Sequence, residues 1–162
     1  RKQNMATFHI RPPRRREVAL ELVHTDVCYV DAPSHQGGQY FVTFIDDYSR
    51  KLWVFVPKSK DQVMLVFKEF EARAKSELDR KLKVVQTDNG GEYRGQFEEY
   101  YKNRGMRLEY TVHKTTEQNW LSKRLNWTIM ERVKSMLSHA KLSKSYSVKA
   151  MYTVVYLINE ST

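Results

Sequence analysis

Two aspartates carry the chemistry that this chain can offer. Asp88 follows Val84-Val85-Gln86-Thr87 and precedes Asn89-Gly90. The valines are β-branched and suit a strand, while Asn-Gly tolerates positive φ and marks a turn. The carboxylate is therefore presented at a strand tip. In α/β sheets, ligands and metals gather outside the carboxyl ends of the strands. An Asx-turn that merely closes the strand is the other use of an Asp at this position. Asp26 is embedded among Leu20, Leu22, Thr25, Val27 and Tyr29. Carboxylates are seldom buried unpaired, so an acid inside a run of strand formers needs a reason.

The elements that must position these acids can be read from periodicity. Leu20 to Val30 reads as a strand, Pro33 to Gly38 as a turn, Gln39 to Ile45 as a second strand and Leu52 to Val56 as a third, stopped by Pro57. Short connections between the three favour an antiparallel meander. Asp61 can N-cap a helix, in which Val63, Val66, Phe67, Phe70 and Ala74 recur at helical spacing. Lys83 to Thr87 is a fourth strand, Gln96 to Asn103 a short helix closed by Gly105, and Arg107 to Val112 a fifth strand. Gln118 to Ala140 is a long helix with Leu121, Leu125, Ile129, Val133, Met136 and Leu137 on one face, and Ser147 to Asn159 a last apolar helix. The order describes a mixed α/β domain: the ribonuclease-H-like arrangement of a mixed five-stranded sheet flanked by helices.

The 162 residues suit one domain with one core, and 41% of them are hydrophobic. No apolar run approaches the ~20 residues of a membrane span, and no signal peptide is visible. Cys28 is the only cysteine, which excludes a disulfide framework and an internal zinc cluster and fits a reducing compartment. The net charge of +9 points to a polyanionic partner or simply to solubility. Residues 1–18 read as a basic arm, with Pro12-Pro13 and the run Arg14-Arg15-Arg16, and residues 19–162 as the domain proper; the whole reads as a piece of a longer chain.

Several segments, in order, resemble the integrase catalytic core of Ty1/copia-type retrotransposon polyproteins. They are Leu22-Val23-His24-Thr25-Asp26-Val27-Cys28, Tyr40 to Val54 with Asp46-Asp47-Tyr48-Ser49-Arg50 at its centre, Thr87-Asp88-Asn89-Gly90-Gly91-Glu92-Tyr93, Glu131 to Leu137, and Ala150 to Asn159. Arg1-Lys2-Gln3 resembles the tail of the family's zinc-binding N-terminal module, whose ligands are absent. The resemblance implies cleavage and transfer of DNA ends into target DNA, with retroelement ends and target DNA as partners. It also implies self-association and an intracellular setting in nucleus and cytoplasm, and involves no membrane. It implies three carboxylates holding two Mg²⁺ or Mn²⁺ ions. In-line attack on a phosphodiester builds charge on two oxygens, and two ions about 4 Å apart stabilise both. Asp26 matches the first carboxylate and Asp88 the second.

The third position departs from the family. Where the family reads Gln-Asn-Gly-x-x-Glu-Arg-x-Asn-x-Thr, this chain reads Gln118-Asn119-Trp120-Leu121-Ser122-Lys123-Arg124-Leu125-Asn126-Trp127-Thr128. Both prolines of the preceding segment are also gone from His113-Lys114-Thr115-Thr116. Lys123 stands at the glutamate position, and an ammonium cannot ligate a cation. On a helix, Glu117 is rotated about 120° away, and Glu131 lies about 12 Å along the axis, so neither substitutes directly. Glu92 reads as a surface residue of its turn. The expectation is weak metal binding and impaired catalysis. The alternatives are an active strand transferase that tolerates Lys123 and a domesticated protein-interaction module.

Lys114, Lys123, Arg124, Arg132 and Lys134 read as a basic edge for phosphates, giving salt-dependent and sequence-tolerant binding. Trp120 and Trp127, two turns apart, share a face with Lys123 between them. Such a pair can stack on an unpaired base or pack against neighbouring structure.

Overall fold

Alternation along the strands decides what each face of the sheet buries. The computed structural model describes residues 14–30, 39–88, 91–111 and 120–162. Among them, β1 (Val23–Val30), β2 (Gln39–Asp46), β3 (Leu52–Phe55), β4 (Val84–Thr87) and β5 (Arg107–Tyr110) form one sheet in the order β3-β2-β1-β4-β5. β1, β2 and β3 pair antiparallel, whereas β1–β4 and β4–β5 are parallel. The mixed five-stranded sheet with flanking helices is thus the architecture that the hydrophobic pattern predicts.

Successive side chains of a strand point to opposite faces. Val42 and Phe44 of β2, with Trp53 and Phe55 of β3, face α1 (Val63–Leu78) and α2 (Gln96–Arg104). Phe41 and Ile45, with Leu52 and Val54, face α3 (Trp120–His139) and α4 (Ser147–Glu160). The first layer is aromatic: Phe44 stacks on Phe70 with ring centroids 4.0 Å apart, and Phe67 makes T-shaped contacts with Phe44, Phe97 and Tyr101. Val63, Val66, Phe67, Phe70 and Ala74 form the buried face of α1, at the helical spacing that the sequence shows. Gly105 closes α2 at φ 67°, a conformation that a glycine adopts without steric penalty. No helix among the described residues is long and apolar enough to cross a membrane.

Two departures from the periodic reading have a visible structural cause. β1 begins at Val23 rather than Leu20. Leu20 is fully buried in the left-handed region (φ 61°), and its N–H donates to Asp46 Oδ1 at 2.8 Å rather than to a neighbouring strand. Asp61 does not cap α1. It lies exposed in a 3₁₀ turn (Lys60–Gln62), and α1 starts after Gln62 with no side-chain cap.

The turn between β2 and β3 is anchored by two buried acids. Asp46 Oδ2 accepts from the N–H and the hydroxyl of Ser49 at 2.8 and 2.6 Å. Asp47 accepts from His24 Nε2–H at 3.0 Å, from the Arg16 N–H at 2.7 Å and from the Arg50 guanidinium at 3.4 Å. Arg15 donates to the carbonyls of Asp47 and Tyr48. Burial opposes the charge on Asp47, but the donors from His24 and Arg16 and the charge of Arg50 outweigh it and hold its carboxyl below the usual range.

A depressed carboxyl pKa contributes stability that is present above the unfolded pKa and lost as pH falls through the folded one. Asp47→Ala is expected to cost about 1–3 kcal/mol near pH 6, read by urea unfolding. The gap to the unmodified chain should narrow as pH drops below about 4. A gap that stays constant from pH 6 to pH 3 would remove the charge-based account.

Candidate active site

Strand register brings the two sequence-predicted acids together. Val23 pairs with Val85 and His24 with Gln86 across the parallel β1–β4 ladder. Two residues further on stand Asp26 and Asp88, the latter at the exit of β4. Asp26 lies in mid-strand, 7% exposed, and Asp88 is half-buried. Burial first, and the Asp88 charge second, push the Asp26 carboxyl up to about 6. Hydrogen bonds from Cys28 and Asn126 and the charge of Lys123 pull in the opposite direction without prevailing. Asp26, Asp88 and Lys123 therefore share one electrostatic neighbourhood.

The closest partner of Asp26 is a residue that the sequence reading passed over. Asn126 of α3 donates from Nδ2 to Asp26 Oδ2 at 2.9 Å. Its Oδ1 accepts from Thr43 Oγ1–H of β2 at 2.8 Å, and the same Nδ2 lies 2.9 Å from Cys28 Sγ. The Cys28 thiol in turn points at Asp26 Oδ2, 3.6 Å away, and burial pushes its pKa up. One amide thus ties α3 to β1 and β2. A signal for this existed: the buried residues of α3 are Ser122, Asn126, Ile129, Val133 and Leu137. Two polar residues lead this stripe, and the predicted Leu121, Leu125 and Met136 sit at its half-buried flanks. Ser122 Oγ and Thr87 Oγ1 are buried with no hydrogen-bond partner among the described residues.

Lys123 is exposed at the edge of this site. Among the described residues, no three His, Cys, Asp or Glu side chains converge as a metal site. Glu131 is exposed and ion-paired with Lys134 at 3.4 Å. Glu117 and the side chain of Glu92 lie outside the described residues, as does the Asn89-Gly90 turn. A two-ion centre needs several oxygen donors. Among the described residues, the two carboxylates, one of them already engaged by an amide and a thiol, do not by themselves make up that donor set.

The basic positions do not all share an edge. Lys123, Arg124 and Lys134 are exposed, the last beside Glu131. Arg132 lies half a turn around the helix from Lys123 and lines a groove of about 360 Å³ with Met136, His139, Val154 and Leu157 against α4. Lys114 lies outside the described residues. In the basic run, Arg14 bonds Glu17 at 2.6 Å and Arg15 clamps the β2–β3 turn. Trp120 and Trp127 are 55% and 67% exposed, and the Arg124 guanidinium carbon sits 4.7 Å from the Trp120 ring centroid.

A mixed sheet ordered 3-2-1-4-5, with acids on its central adjacent strands and a long helix across them, defines a ribonuclease-H-like α/β domain. The model of the family described as Integrase core domain matches residues 17–115, and the chain belongs to that family, in the form carried by Ty1/copia-type retrotransposon Pol polyproteins. It is 48% identical, over 99% of its length, to the Retrovirus-related Pol polyprotein from transposon TNT 1-94 of Nicotiana tabacum, of which this covers 12%. It is 33% identical over 86% of its length to the corresponding polyprotein from transposon RE1 of Arabidopsis thaliana, covering 10% of that protein. The chain thus spans about a tenth of these relatives.

Solved structures share the fold. The HTLV-2 integrase catalytic core in complex with magnesium, in its trimeric form, superposes with a TM-score of 0.64 at 16% identity, over 85% of this chain and 83% of that one. A chain of the simian T-cell lymphotropic virus intasome in complex with PP2A regulatory subunit B56 gamma gives 0.70 at 15% identity, over 88% and 49%.

Asn126→Leu strips a buried carboxylate and a buried hydroxyl of their shared partner. It is expected to destabilise the fold by about 1–3 kcal/mol, measured by urea unfolding at pH 7. An unchanged midpoint would show that the amide does not hold α3 to the sheet.

Proposed function

We propose that this domain is an integrase core that keeps the fold and a nucleic-acid surface while strand transfer is impaired. The observation that carries this reading is Lys123, an exposed ammonium whose charge reaches the Asp26 carboxyl. It stands where the family places its third carboxylate. Mg²⁺ or Mn²⁺ in a complete site would stabilise the attacking and leaving oxygens of a phosphodiester. Among the described residues, Asp26 and Asp88 would supply the carboxylate ligands, and Lys123 opposes a second positive charge beside them. The solved HTLV-2 core with magnesium supports the family's use of that ion. The same kinship supports DNA ends and target DNA as partners, together with association between copies of the domain.

The test combines metal binding with activity. Calorimetry with Mn²⁺ should show no micromolar two-ion site, and strand transfer should be absent in the native chain. Lys123→Glu should raise Mn²⁺ affinity. Strand transfer by the native chain would overturn the impairment and favour an active, Lys123-tolerant enzyme.

Exposed Lys123, Arg124 and Lys134 support DNA binding through phosphate contacts. Releasing counterions at about three phosphates gives a log–log slope against salt of roughly −3. Duplex affinity measured from low to physiological salt should show it. A flat plot would remove the DNA surface and favour a role in protein contacts.

A further inference from the structure

Trp120 and Trp127 are not buried by the described residues. Trp53, the third tryptophan, is 3% exposed and packed against Phe70. The other two stand in water, although large aromatics normally bury most of their surface. Among the described residues, nothing buries either ring. Seven residues separate them, which places them about 20° apart around α3 and about 10 Å apart along it. That span is close to three stacked nucleotides of one strand at about 3.4 Å each.

We propose that this face of α3 is a platform on which the unpaired bases of a single-stranded DNA extension stack. The proposal rests on the nucleic-acid reading above and deepens it. Three observations carry it besides the exposure. First, Lys123, Arg124 and Lys134 lie within about 60° of the Trp120 direction around the helix, so cations flank the rings where a backbone would run. The acid on this face, Glu131, is ion-paired with Lys134. Second, the Arg124 guanidinium already lies over the Trp120 ring, a cation–π contact that orients the ring while leaving it 55% exposed. Third, Asn126, between the two tryptophans in sequence, faces inward and bonds Asp26, which fixes the rotation of α3 and aims the rings outward. Bases lying on the rings would bring their phosphates along Lys123, beside the Asp26–Asp88 pair.

Charge selects this occupant over a second copy of the chain. A copy carrying +9 would bring like charge to a face that is already cationic, whereas a phosphate backbone brings the opposite sign. Stacking is tolerant of base identity because every base has a π-face.

Fluorescence anisotropy tests the proposal with the full chain and three labelled probes: a blunt duplex, the same duplex with a short single-stranded DNA extension, and that duplex with an RNA extension. The extended duplexes should bind more tightly than the blunt one and quench tryptophan emission. Trp120→Ala and Trp127→Ala should each reduce affinity for the extended duplex about tenfold. They should leave blunt-duplex affinity and the salt slope unchanged, and Trp→Phe should restore most of the loss. Equal binding of DNA and RNA extensions supports the platform, since stacking does not read the sugar. No preference for the extended duplex, or equal loss on both DNA duplexes, overturns the platform and leaves the phosphate surface standing. Absence of binding to any probe overturns both readings. Weakened self-association in the alanine variants, seen by sedimentation without any change in extension preference, would assign the face to a second copy and overturn the proposal.

Discussion

A carboxylate inside a sheet has to be satisfied, and the way Asp26 is satisfied organises this domain. Its burial is enforced by β1 lying between β2 and β4. Its repulsion with Asp88 follows from a parallel register that brings the two acids level. The compensation comes from the helix packed over them, through the Asn126 amide. This contact joins the first strand to a helix 100 residues further along the chain, and it closes only once the sheet and the helix layer are both in place. A buried polar contact of this kind specifies one seating of α3, where apolar side chains alone would tolerate several.

The same contact shows how the fold tolerates two adjacent acids. In a metal centre, a cation would offset the two acids. Within the chain itself, an amide, a thiol and a nearby ammonium offset part of their repulsion. Burial and the Asp88 charge outweigh them, and Asp26 consequently keeps a raised proton affinity. Structure and chemistry separate at this point, because the sheet requires the carboxylate to be bonded and does not require the bonding partner to be a metal.

Much of this was legible in the chain. The run of strand formers from Tyr40 to Ile45 with the order of the elements, and the spacing of Phe67, Phe70 and Ala74, point to the correct sheet and to the correct face of α1. Asp26 and Asp88 were legible as acids in unusual places. Leu20 was not, because a left-handed buried leucine depends on Asp46, 26 residues away, to hold its N–H. Asn126 was hidden in an apolar stripe, since a pattern search rewards the leucines on either side of it. Arg132 was grouped with Lys123 by sequence nearness, although a helix turns them to opposite sides. The exposure of the two tryptophans was open, since spacing reports a shared face and not what covers it.

The thiol of Cys28 has a use of its own. It is the only one in the chain, it is half-buried, and it is engaged by the two side chains that join α3 to β1. Alkylating reagents attack the thiolate, so they would reach this sulfur chiefly when the helix lifts. Its rate of modification is therefore a built-in gauge of how often the two layers part, readable without adding any probe to the molecule.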